Sequence, residues 1–427
     1  MEKFIVNGGN QLHGSIKPAG NKNEALPVLA AVLMAGTPII VHNLPNIGDI
    51  KTMRSLLEEL GASISFKGNG SYQFDATQLI SPEPNQHLSQ SIRGSFLLTA
   101  PLLYRFGYVK IFLPGGDSIG RRRLDTHLQA LEQMGVEIQR ETNYFTAKCK
   151  QFKAAEILLD EASVMATEQV IMAAAVAKGK SKIYNAACEP HVQGLCRLLN
   201  AMGAKIKGIG SNLLEIEGVK ELGGAEHTIS PDHTEIGSLI GLAAVTKSEL
   251  TIENVQPETL GLTLHYFERL GVRVHSKNGN LIVPADQEMI IKNDIDQSIP
   301  KIDDGPWPGF PADLTSIMTV VATQCTGTIL IFEKMFESRL FWVDKLISMG
   351  ARIILCDPHR AVVVGPANLR GAVLMSPDIR AGMALFIAAL CAEGKSEIYN
   401  IHQIDRGYER IDERLKALGA DIQRVSS

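Results

Sequence analysis

One short phrase recurs six times along the chain, and it limits the accessible folds more than any other feature. Leu60-Gly61-Ala62-Ser63-Ile64 returns as Met134-Gly135-Val136-Glu137-Ile138, Met202-Gly203-Ala204-Lys205-Ile206, Leu270-Gly271-Val272-Arg273-Val274, Met349-Gly350-Ala351-Arg352-Ile353 and Leu418-Gly419-Ala420-Asp421-Ile422. Successive copies begin 74, 68, 68, 79 and 69 positions apart. Any helix-to-strand junction can contain one such phrase; six at near-constant spacing describe a repeated unit. Each follows a stretch with apolar residues at helical period, such as Met53-Leu56-Leu57-Leu60. The glycine suits a left-handed helix C-terminus, where a Cβ is strained. Alternating residues that read as a hairpin clearly follow five of the six copies.

Two further phrases complete the unit. Midway lies a helix rich in Ala and Leu, then a turn and a short strand: Ile39-Ile40-Val41, Val109–Phe112, Ser181–Tyr184, Leu250-Thr251-Ile252, Ile329-Leu330-Ile331 and Glu397-Ile398-Tyr399. Several units open with a strand ending in a Gly, Pro or Asp turn, as in GSIKPAGNKNEALPVL, EILLDEASVMATEQV and AVLMSPDIRAGMALF. The unit reads strand, helix, strand, helix, hairpin. It is too small to bury both faces of its helices alone, so copies must pack on one another. The class is α/β. Length alone suggests about three domains; the repeats replace this with two domains of three units, divided between Val219 and the strand at 227–230.

Composition removes other classes. Hydrophobic residues make up 45% and the net charge is −4, which leaves no bulk basic field for nucleic acid or an anionic membrane. The six cysteines form no CxxC pair and no zinc-type cluster with histidine, and read as reduced thiols. MEKFIVNGG lacks the apolar stretch of a signal peptide, and no apolar run reaches membrane-spanning length. The expectation is a soluble cytoplasmic protein.

In a repeat protein, residues that break the consensus at one structural position mark the working face. Cations occupy the strand-to-helix turn: Lys22 in AGNKNEA, Arg93 in SQSIRGSF and Arg380 in SPDIRAGM, the last preceded by Asp378. A helix N-terminus with an added cation is an anion site. Each one alone is more often a solvated charge beside a capping Asn, Ser or Asp, but three cations at equivalent turns favour the anion site. The turn after the middle strand carries Pro114-Gly115-Gly116-Asp117-Ser118-Ile119-Gly120-Arg121-Arg122-Arg123, and later FEKMFESR with Arg339 and IDRGYER with Arg406. Arginine forks pair bidentately with phosphate and carboxylate, so a substrate with several negative charges is expected. Asp117, Asp313, Asp378 and Glu189 are the acid–base candidates, although an Asp at a helix start is also an ordinary cap.

At these residues the chain resembles the enolpyruvyl transferases along essentially its whole length. The specific marks are Lys22-Asn23 before EALP, the loop LPGGDSIGRRRLDTH, NAACEP, FPAD, FESR and IDRGYER. The resemblance implies a two-domain inside-out α/β barrel, three units per domain, with helices inside and sheets outside. It implies that 22–229, with the Asp117 loop, forms one domain and 1–21 plus 230–427 the other, with the active site in the cleft between. It also implies transfer of the enolpyruvyl group of phosphoenolpyruvate to the 3′-hydroxyl of UDP-N-acetylglucosamine, at the first committed step of peptidoglycan synthesis. No metal, other cofactor or obligate protein partner is called for.

By resemblance Lys22, Arg122 and Arg406 hold phosphoenolpyruvate, and Arg93, Arg339 and Arg380 shape the anionic cleft. Asp313 removes the sugar proton, Asp117 stands where a proton is donated, and Asp378 joins the catalytic set. Asn23, Arg122, Arg123, Leu124, Asp125, Thr126, Ser163, Val164 and Met335 match contacts to the nucleotide sugar. Two departures stand out. Asp117 replaces a Cys of many relatives, which implies insensitivity to fosfomycin, an epoxide that alkylates that Cys. Glu161 occupies an often basic position, for which Arg123 is the expected compensation.

Two rivals explain the repeat. 5-Enolpyruvylshikimate-3-phosphate synthase shares the architecture and chemistry, but PGGDSIG and IDRGYER favour the nucleotide sugar. A ring-shaped DNA clamp is also acidic and pseudo-sixfold, but it carries its cations on inner helix faces. Here they sit in turns, and the first helices are apolar (LPVLAAVLMA, IGSLIGLAAV).

Overall fold

The repeat's glycine has the conformation its position demands. In the computed structural model, which describes residues 2–117 and 119–426, Gly61, Gly135, Gly203, Gly271, Gly350 and Gly419 have φ of +104°, +86°, +107°, +76°, +106° and +105°. In each copy the next residue's N–H closes back on the last helical turn, as in Ala62 N to Leu57 O (2.9 Å) and Ala420 N to Leu415 O (3.1 Å). This is the Schellman closure of a helix end. It ends the helix in the same way six times.

The chain divides into two compact units: Met1–Ala19 with Asp117–Arg121 and Pro231–Ser427, and Gly20–Gly116 with Arg122–Ser230. The sequence reading drew the boundaries at 21/22 and 229/230 and kept the Asp117 loop whole with 22–229. In the structure Asp117–Arg121 counts with the unit that holds both termini, because Asp117 bonds Arg406 and Ile119 bonds Ser338.

Each unit has three small sheets. Among the described residues, five sheets have four strands and one has three. In Lys205–Lys207, Leu213–Glu217, Lys180–Tyr184 and Glu156–Leu158, for example, the hairpin and the middle strand run antiparallel while the opening strand joins in parallel. Side chains alternate between buried and exposed, as in Arg360–Gly365, so each sheet has one face to cover. The first helices cover it. His233–Val245, Thr315–Gln324 and Ile379–Cys391 pack against one another and are buried on nearly every side. In the other unit Lys22–Val32 and Val164–Ala175 are equally apolar all round. Helices lie inside and sheets outside.

Three details depart from six self-contained repeats. The opening strand His13–Ile16 pairs with Glu249–Ile252 of the fourth repeat, and Glu226–Thr228 pairs with Ile39–His42 of the first. The two repeats have exchanged opening strands. The sheet of the sixth copy is completed by the N-terminal strand Glu2–Asn7, which lies between Asp421–Ser426 and Lys395–Tyr399. Phe4 of that strand is buried and stacks on Phe386 at 5.0 Å. The second repeat opens with a short helix, Gln86–Ser91, in place of a strand, and its sheet has only three members.

The turn after the middle strand separates the repeats further. Asn43, Asn185, Asn254 and Asn400 occupy it in repeats one, three, four and six, with φ of +54°, +58°, +51° and +60°. Asn tolerates this left-handed conformation better than most residues. Repeats two and five lack the Asn and carry instead the loops that contain Asp117 and Met335.

Candidate active site

In the unit that holds both termini, a carboxylate sits between two buried arginines. Asp313 lies in the short helix Ala312–Leu314 that opens Thr315–Gln324. Its Oδ1 accepts from Arg339 Nη2 at 2.8 Å, and its Oδ2 accepts from Arg380 Nε at 2.9 Å. Arg339 and Arg380 are 6% and 4% exposed, while the Asp313 side chain keeps 26%, so the reachable group of the three is the carboxylate. Arg380 is fixed from behind: Tyr408, 1% exposed, accepts from its Nη1 at 3.2 Å and meets Ser238 Oγ at 3.0 Å. Gly407 permits this approach, since a Cβ there would stand 2.4 Å from Ile379 Cγ2.

Asp378 caps the helix Ile379–Cys391. Its Oδ1 accepts from the backbone N–H of Arg380 and Ala381 at 2.8 and 2.9 Å. Burial pushes its carboxyl above the usual carboxylate range; Arg339 opposes this and the neighbouring Asp117 adds to it. Asp117 in turn accepts from Arg406 Nη1 at 2.6 Å. Asp117, Asp313, Asp378, Arg339, Arg380 and Arg406 therefore form one cluster. Met335 stands apart as a half-exposed side chain whose backbone N–H donates to Asp304 Oδ2 at 3.2 Å.

The other unit gathers its cations differently. Lys22 is the first residue of its helix, beside the capping Asn21, and its Nζ lies 3.4 Å from Asp49 Oδ2. Asn23 donates its backbone N–H to Asn21 Oδ1 at 2.8 Å. Arg93 Nη2 donates to two backbone carbonyls, those of Arg122 (3.0 Å) and Arg123 (3.2 Å). Burial pulls its guanidinium down to about 10, Arg122 adding to this and Glu161 opposing it. The glycines ahead of Asp117 lie on the same segment: a Cβ on Gly115 would fall 1.8 Å from the Gln90 carbonyl oxygen.

Arg123 pairs with Asp125 (3.4 Å) and Asp160 (3.0 Å), and Thr126 Oγ1 donates to Asp160 at 2.6 Å. Its charge is thus shared between two neighbouring carboxylates. Leu124 packs against the core at the head of Asp125–Gln133; Ser163 caps Val164–Ala175, accepting from Ala166 N at 3.4 Å. Glu189 is the half-buried residue just before the helix Pro190–Ala201, and it lies near the buried Glu168.

The sequence reading missed Asp49, Asp160 and Tyr408. Asp160 and Tyr408 sit within quoted motifs, EILLDEASV and IDRGYER, so position marked them even though residue type did not. Asp49 had no mark beyond its place in a first helical turn. Among the described residues no group of three His, Cys, Asp or Glu side chains could hold a metal ion. No helix among them is long and apolar enough to cross a membrane.

A family model described as EPSP synthase (3-phosphoshikimate 1-carboxyvinyltransferase) matches residues 6–415. The chain belongs to this family. Over 427 residues it is 50% identical to the UDP-N-acetylglucosamine 1-carboxyvinyltransferase of Borreliella burgdorferi, covering 100% of both chains. It is 52% identical over 423 residues to the protein of that name from Bradyrhizobium diazoefficiens, covering 99% of this chain and 98% of that one. Among solved structures, the enolpyruvyl transferase NikO from Streptomyces tendae superposes with a TM-score of 0.89 at 22% identity, covering 100% and 99% of the two chains. That likeness establishes the family's α/β fold for this chain.

Proposed function

We propose that the chain transfers the enolpyruvyl group of phosphoenolpyruvate to the 3′-hydroxyl of UDP-N-acetylglucosamine, releasing phosphate. The acceptor rests on one observation: full-length relatives near 50% identity carry that activity in their names. The reaction is the first committed step of peptidoglycan synthesis and places the protein in the cytoplasm, acting on small molecules without a nucleic-acid partner.

The residues take the following roles. Lys22, Arg122 and Arg406 hold the phosphate and carboxylate of phosphoenolpyruvate, with Arg93 supporting the loop at Arg122. The nucleotide sugar lies along Asn23, Arg123–Thr126, Ser163, Val164 and Met335. Asp313 takes the 3′-hydroxyl proton as that oxygen bonds to C2, and Asp117 delivers a proton to C3, giving a tetrahedral ketal. Binding of the anionic substrate competes for Arg406 and releases Asp117 from its ion pair, and Asp117 takes up from solvent the proton that it delivers to C3. Loss of a C3 proton and departure of phosphate then regenerate the double bond. Charge that develops on the substrate is met by fixed cations, which need no reorganisation as the reaction proceeds. Asp378 orders the Arg380 turn.

Phosphate release from phosphoenolpyruvate, measured separately with UDP-N-acetylglucosamine and with shikimate 3-phosphate, tests the reading. Release with the nucleotide sugar alone is expected. Release with shikimate 3-phosphate alone would assign the other acceptor.

A further inference from the structure

Glu333 follows the strand Gly327–Phe332 and is 0% exposed. Its backbone is fixed at both ends by His359: Glu333 N donates to His359 O at 2.8 Å, and His359 Nδ1 meets Glu333 O at 2.8 Å. Both carboxyl oxygens are buried, with the Asp304 and Thr315 side chains in hydrogen-bonding reach of them, and Arg339 Nε and Nη1 are buried as well. The charges that reach Glu333 are Arg339, which attracts it, and Asp304, which repels it. Asp304 is itself buried and committed to the N–H groups of Lys334 and Met335, while the Lys334 ammonium turns outward to Asp303 at 2.6 Å. Arg339, beyond Glu333, bonds Asp313 and lies within the field of Asp378.

We propose that Glu333 is a positioning residue that stays proton-bearing behind Arg339, leaving the guanidinium committed to Asp313. This rests on Asp313 being the base named above. An ionised Glu333 would place a second full negative charge beside a guanidinium already engaged, in an interior where an unpaired charge is costly. Burial pushes the Glu333 carboxyl up to about 9, with Arg339 opposing and Asp304 adding to the rise. Above that pH the ionised group competes with Asp313 for Arg339.

The test is Glu333→Gln, which keeps the shape and cannot ionise. In phosphate release with phosphoenolpyruvate and UDP-N-acetylglucosamine, the neutral-pH kcat should stay within about threefold of wild type. Wild type should lose kcat, with KM little changed, as pH rises through about 9; the variant should not. Superimposable pH profiles would overturn the proposal. A second readout needs no turnover. A carboxyl whose folded pKa is raised contributes most stability below its unfolded value, about 4.3, and loses it as pH climbs to the folded value. The Tm advantage of Glu333→Gln over wild type should therefore grow between those limits, and a pH-independent difference would overturn the proposal. Wild type releasing no phosphate would defeat the proposed function, while the Tm series would still decide the state of Glu333.

Discussion

Arg380 and Arg93 both stand at the start of a helix, yet the two units neutralise them in different ways. Arg380 meets a full carboxylate, Asp313, which it shares with Arg339. Arg93 meets two backbone carbonyl dipoles, with the Arg122 charge beside it and the Glu161 carboxylate acting against that charge. The first arrangement is charge-balanced and buried; it holds one carboxylate in a fixed orientation. The second holds its guanidinium through dipoles with charges of both signs nearby, an arrangement expected to yield more readily to an anionic ligand. On the proposed function, similar turn sequences serve chemistry in one unit and binding in the other.

The largest effect expected is at Asp313. Asp313→Asn should lower kcat by about 10²–10⁴-fold, the usual worth of a positioned acid or base. It should also destabilise the unit by up to about 3–5 kcal/mol, because two buried arginines lose their counter-ion. Wild-type turnover with unchanged denaturation would erase the distinction between the units. Asp117 comes next. Asp117→Asn should lose about 10²-fold in kcat, whereas Asp117→Cys should keep turnover and acquire time-dependent inactivation by fosfomycin. Inactivation of the unaltered protein that dilution fails to reverse would break this expectation.

Arg93→Ala sharpens the binding half of the comparison. KM for phosphoenolpyruvate should rise about tenfold, equivalent to about 1.4 kcal/mol, with a smaller change in kcat. A fall in kcat at constant KM would move Arg93 into the catalytic half. The smallest effect belongs to Arg123, whose ion pairs are largely exposed. Arg123→Ala should cost less than about 1 kcal/mol in stability and raise KM for the nucleotide sugar a few-fold. An unchanged KM would leave the compensation for Glu161 to another group.

Much of this was legible before any coordinates. Gly61 and its five equivalents announced the helix ends, because a φ near +100° is open to glycine and closed to most other residues. Lys22, Arg93, Arg380 and Arg406 were found by position within the repeat rather than by residue type. The exchanged opening strands were not legible. His13–Ile16 and Glu226–Thr228 each look like the start of their own repeat, and a three- or four-residue strand carries too little pattern to specify its partner. The N-terminal strand that completes the sixth sheet was hidden for the same reason, since its pairing with Asp421–Ser426, 414 or more positions away, leaves no local trace.

The sequence by itself determined the repeated unit, the two-by-three arithmetic and the set of charged turns. All of these follow from local backbone preference and hydrophobic period, which neighbouring residues decide among themselves. Only the tertiary structure decided which cation meets which carboxylate. Asp313 finds Arg339 and Arg380 at 26 and 67 positions' distance, and Asp117 finds Arg406 at 289. Those pairings set what each charge can do, because a charge buried among dipoles and a charge buried against its opposite differ in energy by more than any residue type reveals.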